Sequence, residues 1–460
     1  MQNKSLKKLK LTFCSGATTV TGANFLLETL DEPTPLRILV DCGLEQGSHE
    51  SELHNRKPFP YDPKSIDYLF VTHAHIDHVG RIPKLVRDGF AGKIFSTPET
   101  RKLAPIMLED SMKVFKMDQQ EFEPLYDEAD IQNTMKLWHD IPYDTCTELS
   151  GGFEVCAKDA GHILGSVMYE FTYNGTNIVF TGDLGNSPTP LLRDTAIIND
   201  ANYLVMESVY GDRNHESTEK RRDMLENVIE EAVKRNGTLV IPSFSLEKTQ
   251  VLLHEINDLL KEGRIPAEPV FLDSPLAIKV TEIYKGQSRG YNAAITEEMK
   301  QDDIFNFPHL KMVNSTEESK ALIDAPDPKI IIAGSGMSVG GRVVHHEMHY
   351  LPDPKNTLLL VGYQALGTLG RRLQNGEKQV KIFGQNVPVR ARVETISGYS
   401  SHKDSDHLLD FVANTRDSLI RVFTVMGEPK AAMFLTQKIQ DNLAVEAVHP
   451  NDGDSVVLEF

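Results

Sequence analysis

Residues 72 to 78 read Thr-His-Ala-His-Ile-Asp-His, so His73, His75, Asp77 and His78 fall within six positions immediately after the apolar run 66–71. In an extended chain, alternate side chains share a face, which puts His73 and His75 together; a tight turn after them can bring Asp77 and His78 toward a second centre. Imidazole plus carboxylate is the donor set of zinc or a similar borderline divalent ion, and four donors in so short a segment exceed what one ion takes from it. Two metals are the expectation. The duller alternative is a surface turn that happens to be His-rich, and the strand-then-turn setting argues against it.

Three other segments pair a strand end with small residues and a metal-capable side chain. Asp41 follows the apolar run 37–40, His162 stands between glycines in Gly-His-Ile-Leu-Gly-Ser (161–166), and Asp183 follows the run 177–180 in Thr-Gly-Asp-Leu-Gly, placed where one carboxylate could bridge two ions. Taken singly, an Asp-Gly pair is more often a turn and a lone His a satisfied polar group; their common setting raises the joint expectation. His402 adds a further imidazole in a polar turn (397–404).

The elements that must hold these residues follow from periodicity. Over the first 200 residues short apolar runs alternate with turns, and helical spacing appears at 82–87, 100–117 and 129–137, which predicts strands covered by helices. From residue 217 long helices (219–235, 246–261, 342–349) alternate with buried strands (238–241, 270–272, 329–333, 357–361), the pattern of a parallel sheet covered on both faces. The chain reads as α/β, one α/β domain inserted in another: 1–208 and 385–460 flanking 209–384. Its 460 residues are too many for one ordinary core. A formal charge of −18 argues against a nonspecific coat on nucleic acid, but not against a local basic channel. The four cysteines are dispersed and read as buried free thiols of a reducing cytoplasm. Neither a secretory signal at residues 1–10 nor a membrane span is expected.

Together, Asp41, the 72–78 run, 161–166 and 181–185 resemble the metallo-β-lactamase superfamily. Residues 207–213 (Glu-Ser-Val-Tyr-Gly-Asp-Arg), 273–277 (Asp-Ser-Pro-Leu-Ala), 334–342, 362–369 and Ser401-His402 are similar to its β-CASP branch, which contains RNA-processing nucleases. The resemblance spans nearly the whole chain. It implies an αββα metallo-β-lactamase sandwich carrying an inserted β-CASP domain that closes over the metals to leave a cleft for a single strand. It further implies two zinc ions, one held by His73, His75, His162 and Asp183, the other by Asp77, His78, Asp183 and His402. Asp41 would orient a ligand or the bound water, and Glu207 would pair with a histidine of the inserted domain that protonates the leaving group.

The chain departs from the family at two places. Arg371 and Arg372 stand where the eukaryotic cleavage subunit of the family has that histidine, which leaves His345 and His346 as candidate donors, His346 preferred; Met426 stands where many relatives have histidine. The Gly-rich run 334–341 before a helix suggests a phosphate cradle formed by Ser335, Gly336, Ser338 and Arg342. Arg213, Lys248, Arg371 and Arg372 are further sources of positive charge. The expected activity is zinc-dependent hydrolysis of single-stranded RNA in the cytoplasm, leaving 3′-hydroxyl and 5′-phosphate ends, with a homodimer compatible. Endonuclease is preferred over 5′-exonuclease because the chain ends soon after the metal domain. A small-molecule hydrolase, a scaffold that has lost its ligands and a DNA nuclease are the alternatives; the filled ligand positions disfavour the scaffold, and His402 favours RNA over DNA.

Overall fold

In β strands that face a core on one side only, polarity alternates residue by residue, and the strand Lys8–Ser15 does so: Leu9, Leu11, Phe13 and Ser15 point inward. The computed structural model describes residues 7–47, 49–118, 123–287 and 289–459. They form two compact units, one of residues 1–214 and 402–460, the other of residues 215–401.

The first unit holds two seven-stranded sheets. One runs in the order Ser455–Glu459, Lys8–Ser15, Asn24–Thr29, Arg37–Val40, Tyr68–Phe70, Lys93–Ser96, Trp138–Asp140; the other Ala447–Val448, Arg421–Val425, Tyr203–Glu207, Thr176–Phe180, Val167–Tyr173, Phe153–Asp159, Cys146–Glu148. Their facing sides share an aromatic-rich core that includes Phe13, Phe25, Phe70, Phe171, Phe180 and Phe423. Outer faces are covered by helices: Ile82–Arg87 and Pro98–Asp118 over the first sheet, Ser405–Ala413 and Pro429–Leu443 over the second. This is the expected αββα sandwich.

The second unit has a six-stranded sheet, parallel at every pairing, in the order Leu310–Met312, Val270–Asp273, Lys329–Ala333, Thr238–Pro242, Thr357–Leu360, Arg392–Thr395, and a separate hairpin of Gln379–Ile382 with Gln385–Pro388. Its central strands are buried at every position, which is why they read as unbroken apolar runs.

Two expectations need correction. The compact units divide at 214/215 and 401/402, not at 208/209 and 384/385, because Arg392–Thr395 completes the inserted sheet by pairing with Thr357–Leu360. And Cys146 and Cys156 are not buried free thiols: the antiparallel pairing of their strands sets them directly opposite one another, with Cα atoms 4.1 Å apart, and they form a disulfide. Cys14 and Cys42 are free, and only Cys42 is buried. The reading of residues 1–6 lies outside the described residues.

Candidate metal centre

The 72–78 motif leaves the strand Tyr68–Phe70 extended and enters a one-turn helix, Ile76–Val79, with His75 at its N-cap. Residues 41–44 clamp that turn: Cys42 N donates to His78 O and Leu44 N to Ile76 O. The approach is so close that a Cβ on Gly43 would sit 1.5 Å from Asp77 O, so only glycine fits. The segments bearing His162 and Asp183 are interlocked in the same way, a Cβ on Gly185 meeting Gly161 O at 1.9 Å. Gly185 forms an isolated bridge with His402, and Lys403 donates from its backbone to Leu184 O and from Nζ to Gly185 O, which returns His402 to the centre.

The structure brings His73, His75, His162 and Asp183 together with donor atoms all within 4.8 Å of one another. His75 Nδ1 is 3.1 Å from His73 Nε2 and 3.3 Å from His162 Nε2. Asp183 Oδ2 is 3.4 Å from His73 Nε2 and 3.5 Å from His162 Nε2. Donors placed tetrahedrally around zinc at its usual bond lengths lie about 3.3–3.4 Å apart, and these four distances are close to that spacing. On the other side of Asp183, Oδ1 is 3.4 Å from His78 Nε2, which is 4.0 Å from Asp77 Oδ2. Both His78 Nε2 and Asp183 Oδ1 are buried without a hydrogen bond, the condition of atoms reserved for a ligand. A second convergent group contains Asp183, Glu207 and His402.

Two carboxylates stand behind the imidazoles. Asp41, held at φ 59°, accepts from Thr72 N and Oγ1 at 2.8 Å each and meets His78 Nδ1 at 2.7 Å, which leaves Nε2 for the centre. Glu207 does the same for His402: its oxygens are 3.1 Å from Nδ1, and Oε1 also accepts from Leu184 N at 2.6 Å. Glu207 therefore orients His402, an arrangement found behind metal-ligating histidines in general.

Burial lowers the pKa of His73 and drives His75 and His162 well below the ordinary imidazole range, so all three present the neutral lone pairs that metals require. For His78 burial acts in the same direction, but the carboxylates of Asp183 and Asp41 overcome it and hold the ring well above that range. Burial favours the neutral acid at Asp183, yet His78, His73 and His402 keep it ionised, well below the usual carboxylate value. Burial raises Asp77 and Glu207. His73, His78, His162 and Asp183 are buried, whereas His75, Asp77 and His402 are partly exposed, so the cluster has an open rim, as catalytic metal sites do.

The candidates in the inserted unit fare differently. His346 is buried; its Nε2 is 2.7 Å from Asp273 Oδ2, and its Nδ1 is buried without a hydrogen bond. It is an interior residue, bonded to Asp273 and not presented at a surface as a proton donor would be. Arg342 donates to Asp273 Oδ1 and to the carbonyls of Val313 and Asn314, and the Ser338 hydroxyl points inward to Glu347 at 2.5 Å. Both are spent on internal bonds, which removes them from the phosphate cradle. Gly336 lies against the Phe244 ring, and Ser335 Oγ accepts from Val339 N. His345 is exposed, its ring tilted against that of Phe383 with centroids 4.6 Å apart. Met426 is a buried member of the inter-sheet core. Sequence reasoning missed Thr72 and Lys403 as positioning groups; Thr72, inside the motif, was visible as a hydroxyl next to two imidazoles.

Three family models match the chain: the metallo-beta-lactamase superfamily over residues 36–233, the Beta-Casp domain over 249–373, and the Zn-dependent metallo-hydrolase RNA specificity domain over 386–450. Among curated relatives, the ribonuclease TTHA0252 of Thermus thermophilus is 38% identical, the match covering 87% of this chain and 89% of that protein. The transcription termination factor FttA of Methanosarcina mazei is 31% identical over 95% of this chain and 70% of its own, and that of Pyrococcus abyssi 33% over 95% and 69%. A crystal structure of a protein of unknown function from Enterococcus faecalis shares the fold, with a TM-score of 0.55 and 12% identity over 99% of this chain and 100% of that one. The fold and these matches define a metal-dependent hydrolase. The chain belongs to the β-CASP branch of the metallo-β-lactamase superfamily.

Proposed function

We propose that this chain is a zinc-dependent ribonuclease that hydrolyses internal phosphodiesters of single-stranded RNA. The observation that carries the reading is Asp183, whose two oxygens face two separate sets of donors, three imidazoles spaced as a zinc tetrahedron on one side and His78 with Asp77 on the other. The match to an RNA specificity domain around the segment that supplies His402 and the ribonuclease name of a relative support RNA as substrate. A cytoplasmic location goes with that substrate.

In this reading His73, His75, His162 and Asp183 hold one zinc and Asp77, His78, Asp183 and His402 the other. Bound there, divalent ions supply the Lewis acidity that activates water and neutralises charge building on a phosphodiester. The protein's own part is positional. Asp41 and Glu207 keep a proton on Nδ1 of His78 and His402 and direct each Nε2 inward; the Gly43 and Gly185 crossings hold the loops at fixed separation; and the partly exposed rim of His75, Asp77 and His402 gives substrate one side of approach.

The test is incubation of zinc-loaded protein with an RNA labelled separately at each end and carrying either a 5′-phosphate or a 5′-hydroxyl. Internal fragments from both labels, whatever the 5′ group, with loss of cleavage on chelation, are expected. Stepwise mononucleotide release from the 5′ end would overturn the endonuclease reading, and intact RNA beside a hydrolysed lactam or thioester would overturn the substrate.

A further inference from the structure

Four lysines of the described residues are buried: Lys84, Lys248, Lys329 and Lys403. Burying an ammonium without a partner is costly, and proteins ordinarily answer with an anion or a set of acceptors. Lys84 has Asp88 at 2.6 Å, Lys329 has Asp327 and the Ala325 carbonyl, and Lys403 has the Gly185 carbonyl. Lys248, only 5% exposed, has neither a hydrogen bond nor an ion pair at its amine among the described residues. The carboxylates nearest in charge are committed elsewhere: Glu255 takes Arg221 and the Tyr399 hydroxyl, and Glu247 takes the Tyr284 hydroxyl.

The place of this lysine in the sheet is informative. It opens the helix Lys248–Lys261 just after the strand Thr238–Pro242. From that strand the chain crosses to Val270–Asp273, two positions away on one side, whereas from the neighbouring strand Thr357–Leu360 it returns as Arg392–Thr395 on the other. Where the connections of adjacent parallel strands part in this way, the carboxyl ends leave a crevice, the usual ligand position of open α/β sheets. Lys248 belongs to the first of these connections and Gly362 to the second, and the two are adjacent: a Cβ on Gly362 would lie 3.9 Å from Lys248 Cε and 3.0 Å from the Phe244 ring. At the same edge the hydroxyls of Ser245 and Ser274 stand 3.3 Å apart.

We infer that Lys248 Nζ is the receptor for a phosphate group in the crevice at the carboxyl ends of the inserted unit's parallel strands, beside Gly362. The proposal rests on the RNA reading for the source of that phosphate, a backbone group of the single strand, and it takes over the role that Ser338 and Arg342 cannot fill. Burial, reinforced by the Arg221 charge, pushes Lys248 down to about 7 against the pull of Glu247 and Glu255, so a bound phosphate would also restore the full charge of the amine.

The experiment compares full-length, zinc-loaded wild type with Lys248→Met and Lys248→Gln. Inorganic phosphate is titrated against thermal unfolding, and affinity for a phosphorothioate single-stranded RNA is followed against salt. Phosphate should raise the melting temperature of the wild type more than that of either variant, the remainder being binding at the zinc-loaded centre, and the slope of log affinity against log salt should fall by about 0.7 in the variants, one single-strand phosphate contact. In phosphate-free buffer Lys248→Met should be at least as stable as wild type, because an uncompensated charge has been removed. An unchanged phosphate response in both variants would overturn the proposal, as would destabilisation of both without phosphate, the mark of a purely structural amine. A Lys248-dependent phosphate response without RNA binding would uphold the anion site and sink the RNA reading alone.

Discussion

The two units each contain a buried histidine set 2.7 Å from a buried aspartate, His78 with Asp41 and His346 with Asp273, and they put the same pair to opposite ends. Asp41 is otherwise bonded to a backbone N–H and a hydroxyl, so the imidazole carries its far nitrogen, unpaired, toward Asp183 and the other histidines. Asp273 is surrounded by His346, Arg342 and Ser319, whose bonds outweigh burial and hold it below the usual carboxylate range, and its histidine belongs to no second set of donors among the described residues. A histidine–aspartate pair becomes a site when side chains from several loops converge with donors left over. When other side chains close around the carboxylate with hydrogen bonds, it becomes a strut.

Four substitutions bear on that contrast. The largest effect is expected from Asp183→Ala, which removes the one group shared by both donor sets: metal content by plasma emission should fall to background and hydrolysis should drop by at least about 10³-fold, and a zinc-replete, active variant would refute the two-metal assignment. Asp273→Ala strands Arg342 and His346 and should destabilise the inserted unit by about 3–5 kcal/mol in denaturant unfolding, with zinc content unchanged; loss of zinc here would erase the distinction between the pairs. Asp41→Ala should weaken zinc retention about 10–100-fold in chelator competition while altering stability less than Asp273→Ala does. The smallest effect belongs to Glu347→Gln. Burial pushes the Glu347 carboxyl up to about 8 from an ordinary value of 4.5. Between those values the unfolded chain has lost a proton that the folded one keeps, so wild-type stability should decline as pH rises from 4.5 to 8. Glu347→Gln should flatten that decline; identical slopes would count against a protonated interior carboxyl.

Much of this was legible beforehand because the signals were local. The 72–78 spacing, the glycines around His162 and Asp183, and the unbroken apolar runs of the parallel strands each follow from a few consecutive residues. What failed was set by partners far away in the chain. The Cys146–Cys156 bond depends on the register of two short strands, and nothing in a spacing of ten residues fixes register. Arg342 and Ser338 look like phosphate ligands after a glycine run, but Asp273 and Glu347 had already claimed them. The placing of Glu207 beside His402 was not legible either, since the bridge between Gly185 and His402 that sets it beside the ring joins residues more than two hundred positions apart.

That bridge has a consequence for synthesis. His402 is the first residue of its unit after the inserted segment, and each of the two sandwich sheets takes strands from beyond it, Ser455–Glu459 in one, Arg421–Val425 and Ala447–Val448 in the other. A chain growing from its N-terminus cannot set that imidazole beside the His73–His75–His162–Asp183 quartet until the entire insert has been made. Fragments released before that point lack His402, so the order of residues along the chain withholds the complete proposed site until the insert has been synthesised.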